Sequence, residues 1–97
     1  MSAYLLLNDQ SANVDGTPKT LGASGDRVVF ISGVFDGATV TLQVESPNKV
    51  GTWIPLSEGV FTEVQAWILI GVRDELNIRA VLSAAGGSTD VTVEISK

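Results

Sequence analysis

Six groups of residues in this 97-residue sequence are of types and spacings that admit chemistry: Asp36-Gly37, Glu58 with Glu63, Asp74 with Glu75, Gly86-Gly87-Ser88, Trp53 with Trp67, and Arg73 with Arg79. A carboxylate beside a glycine can ligate a cation. Asp-Gly between two apolar runs is first of all a type I′ turn, which needs positive φ at both positions. The carboxylate pairs would serve acid–base work only if they converged across a cleft, and nothing in their spacing brings them together. As exposed turn residues they need no further explanation. Gly86-Gly87-Ser88 is too short to cradle a phosphate and lacks the lysine that follows a P-loop. Two tryptophans can stack on sugars, but on strands they more often pack in a core or an interface. Arg73 and Arg79 flank an apolar stretch and read as salt-bridge or interface residues before anion ligands.

The residues that are missing narrow the field further. There is no histidine and no cysteine. A disulfide scaffold, a Cys/His zinc site, a cysteine nucleophile and a histidine base are excluded. Six basic residues against eleven acidic ones give a net charge of −5, which phosphates repel, so a nucleic-acid partner is not expected. The reading is of a protein that is not an enzyme, with no cofactor and no metal. The opening MSAYLLLNDQ has no basic region and only the four apolar residues Tyr4 to Leu7 in a row, too few for a signal peptide. No run approaches a membrane span. Synthesis in the cytoplasm, without a membrane partner, is the expectation.

The elements that must position these residues read as strands. In ATVTLQVES, residues 38 to 46, Ala38, Val40, Leu42 and Val44 alternate with polar residues, the period of a half-buried strand. DVTVEIS near the end repeats the pattern with Val91, Val93 and Ile95. RDELNIRAVLSAAG, residues 73 to 86, contains helix formers. Yet Leu76, Ile78, Ala80 and Leu82 fall on one strand face, and every neighbour is β. Residues 26 to 35 and 64 to 72 are apolar on both faces. Such strands are either covered on both sides within the domain or lie against another chain. Asp36-Gly37 predicts a hairpin between residues 26 to 35 and 38 to 46, and PNKVG a second turn. Pro55 favours an edge strand.

The resulting expectation is a single all-β domain, an antiparallel β-sandwich or barrel of seven or eight short strands, jelly-roll or Ig-like. Residues 26–97 would form the sandwich. Residues 1–25, polar and turn-rich, would form an N-terminal arm or loop with the short anchor Tyr4 to Leu7, which is either an edge strand of the same domain or a docking segment on a neighbour. Candidate interface residues are Tyr4, Leu5, Leu6, Leu7, Val29, Ile31, Phe35, Trp53, Trp67 and Leu69. Their apolar surface predicts self-association, since a monomer rarely exposes a large contiguous apolar patch.

Residues 28 to 96 resemble small structural proteins of tailed bacteriophage virions. The phrase FISGVFDGATVTLQVES leads into Gly51-Thr52-Trp53-Ile54, and LNIRAVLSAAGGSTDVTVEIS adds an Arg-Ala strand, a small-residue turn and an alternating last strand. Members of this group include capsid decoration (cement) proteins, head fibres and tail-associated modules. The resemblance implies a virion structural protein: an outer-capsid decoration protein that bridges major capsid subunits on the capsid exterior, itself a homo-oligomer such as a trimer. The alternative is a tail or fibre domain, or a carbohydrate-binding module, that recognises a host surface.

Overall fold

The computed structural model describes residues 3–22, 25–72 and 75–96. They form nine strands: β1 Ala3–Gln10, β2 Val14–Asp15, β3 Lys19–Leu21, β4 Gly25–Val34, β5 Thr39–Glu45, β6 Trp53–Phe61, β7 Gln65–Val72, β8 Leu76–Ser83 and β9 Asp90–Ser96. The segment that admitted helix or strand is strand β8. Two antiparallel sheets face each other. Sheet A has the order β1-β9-β4-β7. Sheet B has the order β2-β8-β5-β6, with β3 also pairing β8 on the β2 side. If β2 and β3 are counted as one strand interrupted at Gly16 to Pro18, this is the strand order of an eight-strand jelly roll. That interruption accounts for the ninth strand.

The core lies between the sheets. Val40 and Leu42 from β5, Ile78, Ala80 and Leu82 from β8, and Val91, Val93 and Ile95 from β9 are buried. These are the inward positions that the alternation marks. The PNKVG turn closes a hairpin between β5 and β6, with Ser46 N–H donating to the Thr52 carbonyl and Gly51 at φ 90°. Pro55 sits on β6, the edge of sheet B, where its missing N–H breaks no ladder.

Two sequence expectations are corrected. Asp36-Gly37 does form a turn with both φ values positive, 46° and 84°, closed by Ala38 N–H to the Phe35 carbonyl at 2.9 Å. It joins no hairpin, however: β4 belongs to sheet A and β5 to sheet B, so the turn carries the chain across the sandwich. Asp-Gly specifies the dihedrals of the turn and not the sheet in which the next strand pairs.

The N-terminal arm is likewise replaced by strands of the sandwich. β1 pairs with β9 from Ala3↔Ser96 to Gln10↔Val91, while β2 and β3 pair with β8. Register shifts between Leu5 and Leu7 and between Leu7 and Gln10 mark two bulges. The first bulge lets the successive side chains of Leu6 and Leu7 both turn inward, where both are buried, which strict alternation would forbid. Gly16 donates its N–H to the Ala80 carbonyl. A Cβ on Gly16 would collide with the carbonyl oxygens of Leu6 and Ala80, so only glycine lets β1 and β8 approach so closely here.

Candidate interaction faces

The structure divides the ten sequence-predicted interface residues. Leu6, Leu7, Val29, Ile31, Phe35 and Leu69 are buried in the core of the chain itself, and their apolar surface needs no second chain to cover it. Tyr4 and Trp67 are partly buried against that core. Leu5 alone of the leucine run points outward, 44% exposed. Trp53 is half-buried on the outside of sheet B.

The apolar outer surface exists, but on the opposite parity of β4 and β7. With Val29 and Ile31 inward, Val28 and Phe30 face out. With Trp67 and Leu69 inward, Ala66 and Ile68 face out. Cross-strand pairing sets these in rows over the outside of sheet A. One row runs Leu5, Glu94, Phe30, Ala66. In the next, Val28 faces Ile68, which is 57% exposed. Glu94 is the one charged side chain in these rows.

The outside of sheet B is mixed: Val60, 52% exposed, and Val81 share it with polar side chains that bond to one another. Thr20 Oγ1 donates to Asn77 Oδ1 at 2.7 Å, and Asn77 Nδ2 donates to Glu45 Oε1 at 2.8 Å. Glu45 Oε2 accepts from Gly51 N–H in the β5–β6 turn, also at 2.8 Å. The two donors, Asn77 foremost, hold the Glu45 carboxyl below its ordinary range, because bonding to the charged form favours that form. A parallel row has Arg79 Nε donating to Gln43 Oε1 at 2.8 Å, with the Arg79 guanidinium 3.8 Å from Asp15 Oδ2. Arg79 therefore makes the salt bridge its position suggested. The same guanidinium lies 4.5 Å from the centre of the Trp53 ring, a cation–π contact.

Trp53 and Trp67 are on different sheets. Trp67 meets Phe61 edge to face at 5.6 Å, while Trp53 has one face under Arg79. The two rings share no platform. A half-open groove of about 280 Å³ runs between β1 and the β2–β3 edge, where Asn8, Gln10, Asp15 and Lys19 mix with the leucines of β1.

Among the described residues no three carboxylates lie together where a metal could bind. Glu58 and Glu63 are both exposed. Arg73 and Asp74 lie outside the described residues. The Gly86 to Thr89 turn is built from internal bonds: Gly86 N–H donates to Thr89 Oγ1, which donates in turn to the Phe35 carbonyl, and Ser88 N–H donates to Asp36 Oδ2. The Asp36 carboxylate thus serves the neighbouring turn.

No protein-family model, curated protein or solved structure matches this chain. Sequence reasoning missed Val28, Phe30, Ala66 and Ile68 as outward residues. Where both parities of a strand are apolar, periodicity does not say which one faces in. The signal available was the partner strand, since Glu94 on β9 is outward and fixes Phe30 beside it.

Proposed function

We propose that this chain is a structural protein of a bacteriophage virion, an outer-capsid decoration protein that stabilises the shell by bridging major capsid subunits. The observation that carries the reading is the outside of sheet A: Leu5, Phe30, Val28 and Ile68 form an apolar surface on a jelly roll that has already filled its core from within. Such a face has area to bury on another protein. The resemblance of FISGVFDGATVTLQVES to small phage structural proteins supplies the class of partner. The acidic balance suits a position away from the packaged genome. The mechanism is burial across seams between shell subunits, so that expansion or disassembly must first re-expose that surface.

Particles purified from the source of this gene should contain the chain, and electron microscopy should place it on the outer shell with sheet A toward the capsid. Finding it only in tails, or only free, overturns the reading.

A further inference from the structure

A sandwich of two open sheets has four edge strands, each a row of backbone donors and acceptors able to pair with another chain. Three of the four are blunted in this protein. β1 carries two bulges, with Asp9 at φ 49°. The β2–β3 edge is broken by Gly16 to Pro18 and turns Lys19 toward the inside, on the same side of the sheet as its partner Ile78. β6 contains Pro55 and inserts three extra residues opposite Thr41 to Gln43. β7 has none of these devices over the run Gln65 to Leu69, which pairs with β4 residue for residue; its one register shift lies beyond Leu69. The strand QAWILIGV contains no charge and no proline.

We propose that β7 is the edge through which two copies of this chain pair, antiparallel about a two-fold axis, joining their A sheets into one. A strand is the only element that satisfies alternate N–H and C=O groups along such an edge, and an antiparallel partner related by a two-fold axis is β7 itself. Charge favours the same occupant. On a chain of net charge −5, most of the surface repels a copy, and β7 is a stretch where two copies meet without opposing carboxylates. An axis through the middle of the clean run sets Ile68 of each copy opposite Ala66 of the other on the outer face. The apolar rows containing Phe30 and Ile68 then become continuous across the axis, and the half-buried Trp67 is covered at its open side. The pairing does not depend on the virion reading, because the free protein is expected to dimerise with no particle present.

The test is the mass of the purified protein by light scattering at tens of micromolar. The unmutated chain should run at twice its monomer mass. The double variants Ala66→Lys with Ile68→Lys, and Ala66→Glu with Ile68→Glu, each oppose like charges across the axis and should run at half that mass with the β circular-dichroism signal intact. An equal mixture of the two should return to the dimer. Hydrogen exchange on the unmutated protein reads the same contact without substitutions: alternate β7 amides should exchange several-fold faster on dilution. A monomeric or trimeric unmutated chain, double variants that stay dimeric, or β7 exchange independent of concentration overturns the proposal.

Discussion

The Asp36 carboxylate accepts a hydrogen bond from the Ser88 N–H at 2.8 Å, joining positions 52 residues apart. Both residues sit in turns that carry the chain from one sheet to the other, β4 to β5 and β8 to β9. Gly86 lies so close to Asp36 that any Cβ there would strike its carbonyl and carboxylate oxygens. The two crossings lock each other at one end of the sandwich.

Asp36→Ala should destabilise the fold by about 1–3 kcal/mol, by removing an ionised acceptor and by placing alanine at positive φ. Asp36→Asn keeps an acceptor and tolerates that φ, so it should cost less. Urea midpoints of the two variants give the comparison, and equal losses would show that the carboxylate's bond to Ser88 contributes nothing.

Gly16→Ala should be among the most damaging single-methyl additions, at about 3 kcal/mol or more, because the groups in its way are backbone carbonyls that cannot rotate aside. Gly87→Ala, with nothing near its Cβ, should be close to neutral. Thermal midpoints distinguish them.

Leu6→Ala should cost about 2–5 kcal/mol as a core cavity, and Leu6→Asp should prevent folding. Leu5→Asp, one residue away but outward, should leave the fold intact. On the capsid reading it should weaken attachment to undecorated shells. A folded Leu6→Asp protein would put β1 outside the sandwich.

Glu45 links stability to pH. Its folded value lies below the ordinary one, so the unfolded chain takes up the proton first. The contribution is complete above the unfolded value and is lost as pH falls from there through the folded value. The group is only part-buried, so solvent screens it and the effect is small. Glu45→Gln should flatten the acid limb of the stability profile without changing the neutral plateau's shape. Denaturation midpoints from neutral to acid pH provide the check.

Arg79→Ala should uncover the Trp53 ring and shift its fluorescence to the red, with a loss of about 0.5–1 kcal/mol from the cation–π contact. Arg79→Lys should recover only part of this, since an ammonium does not stack as a guanidinium does. An unchanged spectrum in both variants would show that Arg79 does not cover the ring.

The strands with one polar face were legible from the sequence. β5, β8 and β9 alternate, and Val40, Leu42, Ile78, Leu82, Val91 and Val93 are buried as that period requires. β4 and β7 were legible as strands but not in orientation. Their outward Phe30 and Ile68 are as apolar as their inward Val29 and Leu69, and only pairing with a polar neighbour separates them. Residues 8 to 25 read as loop because β2 and β3 are two and three residues long, too short for any period to show. Their pairing depends on β8, more than fifty positions away. The salt-bridged Arg79 was visible as a type, while its contact with Trp53 was hidden in the β5–β6 register.

The strand order also sets when this protein can fold. β9 lies inside sheet A, between β1 and β4, and β8 lies inside sheet B, between the β2–β3 edge and β5. Of the nine described strands these are the last two in chain order. Until they arrive, β1 has no neighbour and the leucines of its inner face stay wet. A growing chain holds only the β4–β7 and β5–β6 ladders, and neither sheet can close. Folding is therefore governed by contacts distant in sequence and belongs with the slow all-β domains of the millisecond-to-second range. Through that interval β7 is an uncharged apolar strand waiting beside an unfinished sheet. In a cell making many copies at once, pairing of incomplete chains through that edge competes with completion of the sheet.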